Sequence, residues 1–146
     1  MLVGEERLLI TPEYQKYAKS VVVNAQALAA ALVDEGMRAV SGGTQTHLAL
    51  IDVRALGVTG KEADERCGAA GITLNKNSIP YDPLAPSVTS GIRVGTPSVT
   101  TQGMGIKEMK SIASLISRAI TKPESAKAIS AEVAQLCEAF PVYPEN

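Results

Sequence analysis

The chain has 146 residues, of which 45% are apolar and 20% charged, with 14 Lys and Arg against 15 Asp and Glu for a net charge of −1. This is a globular composition, long enough to bury roughly two-thirds of its surface around one core, and it predicts a single domain over residues 1–146. The balanced charge argues against a nucleic-acid or anionic-membrane partner, since either calls for a basic field.

Thr11-Pro12 opens the first predicted helix, with Thr as N-cap and Pro suited to the first helical position. Tyr14, Tyr17, Val21, Ala25, Leu28 and Leu32 follow at steps of three and four, one apolar stripe that stops at Gly36. Residues 37–41 read as a short strand and Gly42-Gly43 as a turn. Residues 48–53 read as a second strand, apolar on both faces and so central or covered on both sides. Thr59-Gly60-Lys61-Glu62 has the spacing of a capping box and starts a helix with Ala63, Cys67 and Ala70 on one face, ending at Gly71.

Residues 72–74 read as a third short strand. From 75 to 90 the chain is polar, with Pro80, Pro83 and Pro86 every three residues. This predicts a long ordered loop of the functional kind. Residues 91–95 read as a fourth strand, and Thr96-Pro97 as the start of a helical turn. A helix carrying Met109, Ile112, Ile116 and Ile120 follows. Lys122-Pro123 breaks the chain before a last helix with Ala126, Ile129, Val133, Leu136 and Phe140. This order lacks strict strand–helix alternation. It predicts an α+β fold: a small, mostly antiparallel sheet layered with helices.

Cys67 and Cys137 lie on apolar helical positions and read as reduced core residues. With one His in the chain and no close cysteine pair, the sequence argues against a zinc site. No run approaches the ~18 apolar residues of a membrane span. The start Met1-Leu2-Val3-Gly4-Glu5-Glu6-Arg7 lacks the pattern of a signal peptide, so a cytoplasmic chain is expected.

Chemistry concentrates in three places. In Gly91-Ile92-Arg93-Val94-Gly95, strand alternation puts Arg93 on a face shared only with two glycines. That predicts open space beside a guanidinium fork fit for a carboxylate or phosphate; the alternative is a strand Arg paired to a helix Glu. His47, the lone imidazole, stands at the mouth of the second strand without a nucleophile or carboxylate in its motif. A hydrogen-bonded structural role is expected over general-base work. Asn75-Lys76-Asn77-Ser78 reads either as a turn bonding its own backbone or as a polar rim for a heterocycle. Glycine-rich phosphate loops and a Gly-x-Ser-x-Gly elbow are absent from the sequence.

Several blocks together carry a resemblance. They are Ser41-Gly42-Gly43-Thr44 through His47-Leu48, Asp52-Val53-Arg54, Thr59-Gly60-Lys61-Glu62-Ala63, Gly71-Ile72-Thr73-Leu74-Asn75-Lys76-Asn77-Ser78-Ile79-Pro80 and Thr89-Ser90-Gly91-Ile92-Arg93-Val94-Gly95-Thr96-Pro97. With the ending Leu136-Cys137 through Phe140-Pro141-Val142-Tyr143, the stretch from about residue 11 onward closely resembles the C-terminal small domain of serine hydroxymethyltransferase. The resemblance implies an aspartate-aminotransferase-like fold. It also implies a pyridoxal-phosphate enzyme that interconverts serine and glycine with tetrahydrofolate as one-carbon carrier. Arg93 resembles the family Arg that binds the amino-acid carboxylate, and Asn77 the Asn that bonds the folate pterin. Ala85, Pro86 and Ser87 stand where the family has Ser-Pro-Phe along its folate site, with two side chains different. Gln45-Thr46 stand where Asp-Asn is common, so a role tied to those side chains does not transfer.

The family's cofactor Lys lies in a Thr-rich His-Lys motif, which none of the eight Lys here matches. The resemblance therefore implies that pyridoxal phosphate is bound by a large domain outside this chain. The chain is then a piece of a longer homodimeric enzyme or a remnant reading frame, holds no catalytic residue of its own and is inactive alone. Two other readings are a folate-independent β-hydroxy amino acid aldolase small domain and a non-catalytic binding or assembly module.

Overall fold

The computed structural model describes residues 11–142; the start read for a signal peptide and Tyr143 of the C-terminal block lie outside the described residues. Helix α1 runs Pro12–Asp34. Thr11 caps it by accepting from the Tyr14 N–H at 3.2 Å, and Gly36 ends it with φ +94°. Its inner stripe buries Val21, Ala25, Leu28 and Leu32. Each leucine contributes about 1.5–3 kcal/mol of burial.

Strand β1 is only Arg38–Ala39. The predicted strand stops there because the backbone turns into a short 3-10 segment, Val40–Gly42, with Ser41 at φ 60°. Strand β2, Leu48–Asp52, leads through Arg54–Leu56 to helix α2, Gly60–Ala69. The predicted capping box is present: Thr59 Oγ1 accepts from the Glu62 N–H, and Glu62 accepts from the Thr59 N–H at 2.8 Å.

The third strand lies one block later than predicted. Strand β3 is Asn75–Asn77, not 72–74. The Ile72 N–H donates to Cys67 O at 2.8 Å, so this stretch closes the end of α2 and cannot also pair in a ladder. Strand β4, Gly91–Gly95, falls on the predicted residues. Helices α3 (Pro97–Thr101), α4 (Ile106–Thr121) and α5 (Ala126–Ala139) complete the chain.

The sheet order is β1-β2-β4-β3, antiparallel throughout. The α+β expectation holds. Ala49, Ile51, Ile92 and Val94 point to one face and are buried with Leu28, Leu32, Met109, Ile116 and Ile120 from α1 and α4. β2 is central, as its apolar sequence implies, but only one of its faces is fully covered: Leu48 and Leu50 are half-buried on the other. Polar ties cross the helical layer. Buried Asn24 donates to Thr100 Oγ1 and Met104 O, and Thr96 Oγ1 donates to Val21 O at 2.7 Å. They hold α1 against the turn after β4, which would otherwise bury unpaired polar groups.

The two cysteines part company. Cys67 is fully buried, and burial pushes its thiol up to about 12. Cys137 is exposed, because α5 buries only Ile129 and turns the rest of its predicted stripe half outward. Among the described residues, no helix is long and apolar enough to cross a membrane.

Candidate functional site

The partly open face of the sheet carries the residues singled out in the sequence. Antiparallel register sets Arg93 opposite Leu50 on one side and Asn75 on the other, and sets Asn77 opposite Gly91. Directly paired residues share a face, as do residues two apart on a strand. Arg93, Asn75, Asn77, Leu48 and Leu50 therefore project together.

Among the described residues, Arg93 is the arginine whose guanidinium has no hydrogen bond or ion pair. Arg38 and Arg54 bond Asp52, Arg66 bonds Ile120 O, and Arg118 bonds Glu132. Among the described residues, no helix carboxylate pairs with it. The guanidinium is solvated in this chain, with its five donors available.

The glycines beside Arg93 do not leave the predicted open space. A Cβ on Gly91 would meet Ile79 Cγ2 at 2.7 Å and Asn77 O at 2.8 Å; one on Gly95 would meet Leu48 Cδ2 at 2.8 Å. The glycines instead let Ile79 and Leu48 close in along the strand. Arg93 thus rises between apolar shoulders, with Leu50 across the ladder. Once such a floor is covered, the local dielectric falls and an unpaired guanidinium demands an anion. A carboxylate meets that demand with two parallel bonds.

Asn77 is half-buried, and its Nδ2 donates to Ser78 O at 2.9 Å, which leaves Oδ1 free to accept. Ala85, Pro86 and Ser87 form the exposed crest of the loop over residues 78–90, which joins β3 to β4. The carbonyl of Ala85 accepts from the Val88 and Thr89 N–H groups, so the crest is a tight turn. The loop returns to the strand that carries Arg93. Arg93 and Asn77 thus sit on one sheet face, with the crest on the connection between their strands.

His47 differs from expectation. Its ring is exposed and makes no hydrogen bond among the described residues; only its backbone O accepts, from the Thr96 N–H at 3.2 Å. It lines a shallow cleft of about 350 Å³ with Tyr14, Tyr17, Thr46 and Pro97.

Two acidic anchors escaped the sequence reading. Asp52 is buried beneath Arg38 and Arg54. The Arg54 guanidinium, against the opposing effect of burial and with help from the Arg54 N–H and Arg38, lowers its carboxyl to about 2. Asp82 gathers the proline-rich loop by accepting from Ile79, Leu84 and Ser90. Its signal in the sequence was an Asp directly before Pro83, the mark of an Asx turn.

The eight lysines are all exposed. Lys16 and Lys19 line one open cleft and Lys110 another. Among the described residues, no group of three His, Cys, Asp or Glu could hold a metal ion.

A family model for serine hydroxymethyltransferase matches residues 6–116. A curated serine hydroxymethyltransferase from Desulforapulum autotrophicum is 48% identical over 137 residues, covering 94% of this chain. The chain spans 33% of the length of that relative.

Proposed function

This chain belongs to the serine hydroxymethyltransferase family, and we propose that it is the C-terminal small domain of an enzyme that interconverts serine and glycine with tetrahydrofolate as one-carbon carrier. The observation that supports this most directly is the solvated, unpaired Arg93 on the partly open sheet face, flanked by Ile79, Leu48 and Leu50. In this reading Arg93 grips the carboxylate of the amino acid. Asn77 offers its free Oδ1 to the pterin ring, and the crest Ala85–Ser87 lines the folate through its backbone. The serine-derived carbon and the folate would then approach each other over one hairpin.

Pyridoxal phosphate supplies the carbanion stabilisation such a reaction needs. In this reading its site belongs to a large domain outside this chain, since none of the eight lysines lies in the family's Thr-rich His-Lys motif. The partly open face that bears Leu48 and Leu50 is the surface on which that domain would close. The intact enzyme would be a cytoplasmic homodimer, and the chain alone would be inactive.

Folate dependence of the intact enzyme is the test. Conversion of serine to glycine that saturates with tetrahydrofolate supports the reading. Cleavage of β-hydroxy amino acids with no response to tetrahydrofolate would contradict it and favour a folate-independent aldolase.

A further inference from the structure

We propose that Asp82 is a positioning residue for the folate cosubstrate, holding the crest Ala85–Ser87 at a fixed place relative to Arg93. The inference rests on the functional reading above. One carboxylate here accepts from four donors. Oδ2 takes the Ile79 N–H at 3.1 Å and the Ser90 N–H at 2.8 Å; Oδ1 takes the Leu84 N–H at 2.9 Å and the Ser90 hydroxyl at 2.7 Å. Ile79 lies near the start of the loop, Leu84 at the foot of the crest, and Ser90 directly before β4. A single side chain thus ties together both ends of the loop and the approach to its exposed crest. Burial opposes ionisation, yet the bonds from Leu84, Ser90 and Ile79 outweigh it and hold the carboxyl well below the usual range.

The base of the loop has a second fastening that does not use Asp82. The first N–H groups of α2 donate outward, Gly60 to Thr89 O and Lys61 to Val88 O, each at 2.9 Å. Strand β4 is also paired on both sides, by β2 and by β3. Loss of the carboxylate therefore leaves Arg93 in its ladder and the loop base on α2. What it releases is Leu84 and the approach to the crest, while the Ala85 carbonyl keeps its bonds from Val88 and Thr89. The two binding functions should separate: folate contacts depend on Asp82, and the amino-acid carboxylate does not.

The test uses the intact enzyme with Asp82→Asn, in which one acceptor oxygen becomes an amide nitrogen, and with Ser90→Ala, which removes a single bond. KM for tetrahydrofolate is expected to rise about tenfold in Asp82→Asn, as for loss of a charge-assisted hydrogen bond, and less in Ser90→Ala. KM for serine should stay close to that of the wild type, because β4 keeps both of its ladders and Arg93 its place. Loss of serine and folate binding together, unchanged folate KM in both variants, or failure of both to fold would make Asp82 a mere stabiliser and overturn the inference. A wild-type enzyme with no folate dependence would overturn the functional reading itself, and this inference with it.

Discussion

Gly60 and Thr89 are in backbone contact: the Gly60 N–H donates to Thr89 O at 2.9 Å, and a Cβ on Gly60 would overlap both the Thr89 hydroxyl and the carbonyl of Gly91. The first turn of α2 is thereby pressed against the entry to β4, two residues before Arg93. Thr89 itself holds φ 63°, a left-handed conformation that β-branched residues rarely adopt.

Gly60→Ala should therefore destabilise the chain by at least about 1–3 kcal/mol, the usual cost of overpacking. Gly68 lies on the same helix with no atom within 4 Å of an added Cβ. Gly68→Ala should stabilise by roughly 0.5–1 kcal/mol through its better helix propensity. Thermal unfolding of the two variants checks this. Equal signs would mean that the packing at the start of α2 is looser than the geometry shows.

Asp52 sets an acid limb. Its folded carboxyl lies at about 2, below the ordinary value of 3.8, so the unfolded chain binds more protons in between. The stabilisation is complete above the unfolded value and disappears as pH falls through about 2. Because Arg38 and Arg54 are half-exposed, solvent screens the pair, and about 1–2 kcal/mol is a fair magnitude. Asp82, also depressed, adds to the same limb. Asp52→Asn should flatten the rise of stability between pH 2 and 4 in urea unfolding, without abolishing it. An unaltered slope would show that the two arginines do not hold Asp52 in solution.

Much of the architecture was legible because caps and glycines are local. Thr11, the box at Thr59, and Gly91 and Gly95 mark ends that the structure keeps. Residues 72–74 misled because an apolar triplet after a helix can form a strand or fold back as a cap, and the Ile72 bond to Cys67 O decides for the cap. Around Arg93, strand alternation gave the face correctly but not what fills it. Ile79 arrives from the far end of a long loop, and a residue's own strand carries no trace of that. The same non-locality hid Asp82, whose partners span Ile79 to Ser90.

The cysteines should differ in reactivity. Cys67 is fully buried with its thiol raised to about 12, whereas Cys137 is exposed. A thiol reagent needs access and thiolate. The native chain should take up one equivalent promptly and the second only in denaturant. Rapid labelling of both under native conditions would contradict the packing of α2 against α4 and α5.

Arg93 is proposed to bind the substrate carboxylate through its paired donors, and kcat/KM for serine in the intact enzyme carrying Arg93→Lys reads this out. A lysine keeps the charge but offers a point instead of a fork. Loss of a partner from a desolvated charge pair costs about 2–5 kcal/mol, roughly 30-fold to several-thousand-fold in kcat/KM. Arg93→Lys is expected to lose nearly as much as Arg93→Ala, with pyridoxal phosphate still bound and the tetrahydrofolate KM little changed. Near wild-type kcat/KM for serine in Arg93→Lys would contradict it and place the carboxylate elsewhere.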